Sequence, residues 1–449
     1  MRSILNLLLL ILTIGGLLTL WTAPTASRTP PYDGAAEGGD ETTQPNSSLW
    51  PGWTVPVDIS RCPTKQATYP TLGVTPDGDT LYLAWTDGRA AAKDIYYATS
   101  TDSGWGWTAP RPVWATAADS WRPSLVVSNT TPLLAWAESL SERGHATYQM
   151  ALGGTAPQSV PNDHTVLAYA PHLASGLGGE LHLALQGGLD PKPDILYSRR
   201  EAGATEWPTA TVVFDSQHSG SHNPALAVSA DGQTVHLVWQ ENFSGDESEV
   251  FYLRGRRNGG ETEWEAPVSL SQGIARSGRP AITLQRRPEI GDTIHVAWGE
   301  QEAGYAAQYV RYSRSDDGGD DWTMPRRITP QVVSANNVAP TDVAPALAVT
   351  PAGALCIAWH GFFPGTIPEA EEIYLACSTD GGAQWSEPLN VSHSPETISI
   401  RPVLAVGSDS ILHLAWQEQE SAGDDPVTEY QIHYAHSLPH AVMLPIVTR

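Results

Sequence analysis

Apolar and polar residues alternate along this chain in short runs of strand length, without helical stripes. The most regular run is an apolar stretch ending in Trp, as in Leu81-Tyr-Leu-Ala-Trp85 and Val235-His-Leu-Val-Trp239. It recurs with ends at Trp136, Leu185, Trp298, Trp359 and Trp416, which makes seven copies roughly 50 to 60 residues apart. Each copy is too short for a stable helix and is bounded by turn-forming residues, so each reads as a buried strand.

Three companions travel with every copy. A strand opening with x-Pro precedes it, as in Asn223-Pro-Ala-Leu-Ala-Val and Ala344-Pro-Ala-Leu-Ala-Val; Pro is tolerated at a strand's first residue, where its missing N–H breaks no ladder. A turn such as Asp77-Gly78 or Asp231-Gly232 joins the two. An alternating strand follows (Asp94-Ile-Tyr-Tyr-Ala, Asp194-Ile-Leu-Tyr-Ser), then one opened by Trp, at Trp107, Trp207, Trp264, Trp322 and Trp385. Four antiparallel strands per unit, repeated at a steady period, predict an all-β fold: a seven-bladed β-propeller of four-stranded blades, with six blades as the alternative. The seventh unit, begun at Arg401, lacks a Trp-opened strand, and one stands alone at Trp53-Thr-Val-Pro-Val-Asp-Ile-Ser60. Residues 53–60 are therefore expected to enter the last blade and close the ring, which removes an open sheet edge. The competing closure uses His440 to Val447.

Composition supports this reading and narrows the partners. Gly (40), Pro (36) and Trp (17) are abundant and only 16% of residues are charged, which suits short strands and tight turns. A net charge of −24 argues against a non-specific nucleic-acid surface, while a local Arg cluster could still hold an acidic ligand. Arg2 precedes an almost wholly apolar run from Ile4 to Trp21, so residues 1–27 read as a signal peptide or an N-terminal anchor. A membrane partner is expected only if that segment is retained. Residues 28–49 read as a disordered linker and 50–449 as the propeller. Three cysteines cannot form a disulfide framework. Cys356 and Cys377 fall on consecutive strands, where an exported protein could join them, and Cys62 is left single.

One turn is written three times with four fixed positions: Ser100-x-Asp102-x-Gly104-x-x-Trp107, Ser315-x-Asp317-x-Gly319-x-x-Trp322 and Ser378-x-Asp380-x-Gly382-x-x-Trp385. The Asp carboxylate can accept N–H groups of its own turn, Gly supplies positive φ, and the Trp folds back over the hairpin. This octet is the Asp-box, or BNR repeat, and from about residue 50 to 436 the chain resembles the sialidase (neuraminidase) superfamily. Two worn copies end in Trp207 and Trp264, with Arg200 and Arg257 in the Ser position. The resemblance implies a propeller whose boxes are structural, lying on the far side from the channel mouth. Sialidases of this superfamily have six blades, against the seven counted here. Asp-boxes also occur in propellers that do not cleave sialosides.

Chemistry is sought by comparing blades, since a residue repeated in every blade serves the blade. Two residues past each Trp position stand Asp87, Glu138, Gly187, Glu241, Glu300, Gly361 and Glu418. Their recurrence favours a structural role, pairing with a neighbouring blade's backbone or Arg, over metal binding or acid/base work. His182, His236, His295 and His413 share one strand position and read as a hydrogen-bonded packing slot, since metal ligands must converge. The residue before the inner-strand Pro breaks the pattern: Tyr69, Arg122, Ala170, Asn223, Arg279, Ala344, Arg401. Sialidases are similar in carrying three Arg that clamp a carboxylate, so the resemblance makes Arg122, Arg279 and Arg401 candidate substrate-binding residues. The alternative pairs each with a mouth carboxylate, Arg401 with Glu418 for instance. The resemblance also asks for a Tyr nucleophile, a Glu beside it and an Asp acid/base; by location these are Tyr430, Glu418 and Asp119. The loop Asp215 to His222 faces the mouth and reads as a solvated loop.

The expected function is an exported propeller recognising a glycan or acidic sugar, with exo-sialidase-like glycosidase action as its catalytic form. The rival reading is a non-catalytic propeller binding an envelope or extracellular protein. No metal or cofactor is expected.

Overall fold

The computed structural model describes residues 52–141, 144–162, 167–189, 192–243, 247–273, 275–287, 291–302, 308–329, 343–361, 371–419 and 429–438. The N-terminal targeting segment, the linker and the alternative closing strand at His440 to Val447 lie outside them. Ser47–Arg449 forms one compact unit by itself, and it contains every strand discussed below.

In blade one the order from the centre outward is Ala67–Val74, Leu81–Asp87, Asp94–Ser100 and Arg111–Pro112, each antiparallel to the last. The same four-strand order repeats six more times among the described residues. The fourth and fifth repeats are counted as one sheet because a parallel bridge joins Ser248 to Arg276. Ring closure follows the expected route. Val57–Asp58 pairs with Tyr434 and His433 of the last blade, Trp53 bridges to Ser437, and the Ile59 N–H donates to the Ile432 carbonyl at 2.8 Å.

The outer strands differ from the sequence expectation. Pairing is confined to two to four residues, such as Arg326–Arg327 and Leu389–Asn390, and in the intact boxes the Trp lies ahead of the ladder. Pro three residues after those Trp cannot donate to a ladder. The Trp rings instead seat edge-on against Tyr of the preceding blade: Trp322 on Tyr252 (4.8 Å between centroids), Trp385 on Tyr312 (5.4 Å) and Trp107 on Tyr434 (4.9 Å).

The second strands are apolar on both faces because each is sandwiched between neighbours. Leu355–Gly361 is buried at every residue, and Trp85, Trp239, Trp298 and Trp416 have no measurable exposure. Each core cluster spans two blades; one joins Cys356, Ala358 and Leu375 to Leu414, Trp416 and Ala435. Cys356 and Cys377 are directly opposed and form a disulfide, a linkage that fits an extracytoplasmic location. Cys62 is buried, and its thiol donates to Asp87 Oδ1 at 3.3 Å.

Neighbouring blades are spaced by the histidine slot together with the turn octet. His236 Nδ1 lies 2.8 Å from Tyr252 Oη, His295 2.6 Å from Tyr312, His413 2.7 Å from Tyr434 and His182 2.7 Å from Tyr197. Tyr312 Oη donates to the Gly381 carbonyl of the next blade at 3.2 Å, so His295 supplies its Nδ1–H to that oxygen. The octet holds its shape through Ser Oγ donating to Asp Oδ1 while the Gly N–H donates to Ser Oγ (2.8 and 2.7 Å in the third box). That Gly is where the preceding blade's Tyr arrives. A Cβ on Gly382 would lie 2.3 Å from Tyr312 Oη, one on Gly319 2.1 Å from Tyr252 Oη, and one on Gly104 1.9 Å from Tyr434 Oη.

Two predictions follow from this spacing. Gly382→Ala combines a φ of +88° with the clash on Tyr312, and should lower unfolding free energy by about 2–4 kcal/mol in a denaturant titration. Gly381→Ala meets the flexible end of Arg314 first and should cost less. Burial lowers the pKa of His182, His236 and His413 to about 3 and of His295 to about 4. These rings are neutral in the fold and take a proton on unfolding below about 6.5. Their contribution is therefore complete above that pH and falls as pH drops toward the folded values, by about 1.4 kcal/mol per unit for each ring. His236→Gln should flatten the pH dependence of stability in that window.

Candidate functional site

The site grows from a kink repeated at the same place in the inner strands. Register slips between Trp121 and Ser124, so that Arg122 and Pro123 face a single residue of the partner strand; the same slip occurs in blades one, three, four, five and seven. This is a β-bulge, which bends a strand and re-aims a side chain. At its first residue the backbone is left-handed: φ is 54° at Tyr69, 49° at Arg122 and Ala170, 50° at Asn223, 48° at Arg279 and 55° at Arg401. A non-Gly residue there costs about 1–2 kcal/mol and needs outside support.

The support comes from the blade before. The N–H of Arg122 donates to Thr86 Oγ1 (3.2 Å), that of Asn223 to Gln186 Oε1 (3.4 Å), that of Arg279 to Gln240 Oε1 (3.3 Å) and that of Tyr69 to Gln417 Oε1 (2.8 Å). Arg401 makes the same bond to His360 Nδ1 at 3.5 Å. Every acceptor is the residue after the second-strand Trp position. In blades two and five that residue is Ala137 or Gly299, and there the following blade carries Ala170 or Ala344. Gly299 is required by contact, since a Cβ would lie 2.5 Å from the Val343 carbonyl oxygen.

The residues before the inner-strand Pro of all seven blades, the six bulged ones and Ala344, line one cavity of about 410 Å³ at the centre of the ring, walled by the prolines that follow them. Arg122, Arg279 and Arg401 are thus brought together from blades two, five and seven. No Asp or Glu is among the described lining residues, although acidic residues outnumber basic ones 49 to 25 in the chain.

Tyr69 is the member that sequence reasoning passed over. Its ring lies between two guanidinium groups, with Arg401 Cζ 4.6 Å and Arg122 Cζ 5.1 Å from its centroid. Burial works against ionising its phenol, but Arg401, Arg122 and Arg279 outweigh burial and bring its pKa below the usual 10. The available signal was its place in the same x-Pro series as the three Arg. Arg122 also donates to Asn223 Oδ1 at 3.2 Å. His172, lower in the cavity, is held neutral by burial at about pKa 4.

The other expected catalytic residues lie apart from this lining. Glu418 is buried and accepts Trp416 Nε1 (2.7 Å), Ser399 Oγ (2.6 Å) and Thr397 Oγ1. Tyr430 opens the third strand of the same blade, opposite Gln419, and its N–H donates to the Lys65 carbonyl. Asp119 precedes the inner strand of blade two and accepts the Lys93 N–H at 2.8 Å. The recurring acids serve their blades, with partners other than those expected. Four of the five hold the indole N–H of their own Trp: Trp85 to Asp87 (2.7 Å), Trp239 to Glu241 (3.4 Å), Trp298 to Glu300 (3.4 Å) and Trp416 to Glu418, whereas the Trp136 indole makes no bond to Glu138. Arg89 and Arg311 pair with Asp87 and Glu300 within one blade. The expected solvated loop 215–222 is in part the inner strand Gly220–Val228, and its buried Ser216 and Ser221 both donate to Glu241. Among the described residues no group of three or more His, Cys, Asp or Glu is placed to hold a metal ion.

No known family description matches the chain, and no curated protein matches it in sequence. Solved structures do match. A PL25 ulvan lyase superposes with a TM-score of 0.54 at 10% identity, over 85% of this chain and 94% of its own. The GH93 α-L-arabinofuranosidase of Fusarium graminearum, solved with arabinobiose, gives 0.51 at 15% identity, over 86% and 98%. The NanB sialidase from Streptococcus pneumoniae gives 0.49 at 10% identity, over 85% and 69%. The chain shares its propeller fold with the lyase and the arabinofuranosidase. Glycan-active enzymes share this propeller, and at these identities the likeness is one of fold.

The Tyr69 environment can be read directly. Comparing near-ultraviolet phenolate absorbance of the propeller with that of Tyr69→Phe should isolate one tyrosine titrating below pH 10, and Arg401→Ala should move that titration upward. An unchanged titration in Arg401→Ala would separate the two groups.

Proposed function

We propose that this propeller binds an acidic saccharide at its channel mouth, with Arg122, Arg279 and Arg401 holding the anionic group. One observation carries the reading: three guanidinium groups and a phenol line a single cavity with no described carboxylate, inside a protein of net charge −24. Guanidinium offers a planar, bidentate fork that matches carboxylate or sulfate. The fold adds support, because the ulvan lyase was solved bound to -[GlcA(1-4)Rha3S]-, a saccharide carrying both kinds of anion. In its catalytic form the reading gives Tyr69 the nucleophile's part that Tyr430 was expected to fill. Its neighbours favour the phenolate, and it stands where the saccharide would bind, whereas Glu418 is engaged by Trp416, Ser399 and Thr397.

Calorimetry with N-acetylneuraminate and D-glucuronate, with D-glucose as the neutral control, tests the binding claim. Arg401→Ala should weaken the acidic sugar by about tenfold to a hundredfold, the loss of a charge-assisted contact. Equal binding of glucose, or no effect of Arg401→Ala, would defeat it. Hydrolysis of a fluorogenic sialoside tests the catalytic form: turnover abolished by Tyr69→Phe and kept by Tyr430→Phe is the expected result.

A further inference from the structure

Comparing the blades one residue earlier brings out a second break in the repeat. The residue preceding the bulge is Thr68, Trp121, Tyr169, His222, Gly278, Val343 and Ile400 in blades one to seven. Side-chain rings occupy three consecutive blades, and aliphatic or small residues occupy the other four. A ring that served blade packing would recur, as the second-strand Trp does. Trp121 is also unlike those core tryptophans in exposure, being half-buried where Trp136 is 1% exposed.

These rings are held in place as a group. Trp121 Nε1 donates to Ser139 Oγ at 3.3 Å, and that oxygen lies 3.4 Å from His145 Nδ1. The Lys93 ammonium of blade one sits 4.1 Å from the centre of a Trp121 ring. The His145 ring lies 5.7 Å from that of Tyr169. Gln186 Nε2 donates to Tyr169 Oη at 2.6 Å and lies 2.7 Å from His222 Nδ1. His222 therefore accepts through Nδ1 and stays neutral; burial, then Arg122, lowers its pKa to about 4. The arc adjoins the guanidinium cluster at both ends. Trp121 precedes Arg122, and His222 precedes Asn223, whose Oδ1 takes the Arg122 hydrogen bond.

We infer a second sugar subsite on this arc, over blades two to four, in which the ring next to the anionic sugar stacks on Trp121 with Tyr169 and His222 alongside. The inference rests on the acidic-saccharide reading and extends it: the ligand is an oligosaccharide, entering with its acidic residue in the Arg ring and leaving across these blades. The chemistry fits a pyranose. The Lys93 ammonium lies over one face of the Trp121 indole, so the sugar's slightly positive C–H face stacks on the other, while Ser139, His145 and Gln186 present polar atoms at the edges for hydroxyl groups. Rings already fixed by hydrogen bonds lose little freedom on binding. On the opposite side Gly278, Val343 and Ile400 offer no such platform.

Calorimetry with two matched pairs tests the subsite: N-acetylneuraminate against 3′-sialyllactose, and D-glucuronate against a hyaluronan tetrasaccharide. In at least one pair the oligosaccharide should bind more tightly than its monosaccharide. Trp121→Ala should remove up to about tenfold of that advantage, with the loss confined to the oligosaccharide. Trp121→Phe keeps a ring and should retain most of the advantage, which separates stacking from a fault in folding. An oligosaccharide advantage untouched by Trp121→Ala, or monosaccharide and oligosaccharide weakened equally, would overturn the subsite and leave the Arg ring standing. Failure of every acidic sugar to bind would remove both readings.

Discussion

The bulge at the x-Pro dipeptide is the constraint on which the rest depends. A strand running straight past the channel would send alternate side chains into the adjoining blades and leave the ring centre lined by backbone. Two residues facing one turn the first of them inward, at the cost of a left-handed backbone that L-residues avoid. At Tyr69, Arg122, Asn223, Arg279 and Arg401 a hydrogen bond to a side chain of the preceding blade offsets that cost, so those kinks depend on their neighbours. Site formation and ring assembly are therefore one event: Arg401 takes its conformation with help from His360 in blade six, and Tyr69 with help from Gln417 in blade seven.

Away from the channel the same blades are spaced by a different contact, and the separation of the two has functional meaning. The His–Tyr pairs and the turn octets carry the most conspicuous residue patterns in the chain, yet the pairs are buried and the octets bury their Ser and Gly against the preceding blade. Their polar atoms are engaged with each other: Ser with Asp, Gly N–H with Ser, Tyr with His. Binding demands the opposite, side chains whose groups face a space large enough for a ligand. The channel residues meet that demand because they vary from blade to blade while the backbone beneath them repeats.

Charge sharpens the contrast. The chain as a whole is strongly acidic, and four of its recurring carboxylates are sequestered, each capping the indole of its own Trp. That arrangement keeps Asp87, Glu241, Glu300 and Glu418 out of the described lining and leaves the cavity's charge to Arg122, Arg279 and Arg401. A phenol placed among them is held nearer its anionic form than burial alone would allow.

The repeat of strand, turn and Trp was enough to determine the propeller, its seven blades and closure by Trp53 to Ser60, because each follows from local periodicity and from what a sheet edge requires. Blade-by-blade comparison also isolated the Arg of the x-Pro series, and it placed the four histidines and the acids in structural roles. Three matters were settled only in three dimensions. Whether Arg122, Arg279 and Arg401 meet depends on the left-handed turn of each bulge, a backbone state that X-Pro does not announce. That Tyr69 joins them depends on ring closure, which sets blade one beside blade seven across more than three hundred residues of chain. Whether Glu418 is available to Tyr430 depends on which donors reach it first, and in the fold those are the indole two residues before it and the hydroxyls of Ser399 on the neighbouring strand and Thr397 just ahead of it. Periodicity reports which residues share a face; it carries no information on which polar group satisfies which, because that is decided by distances between strands that the chain brings together only on folding.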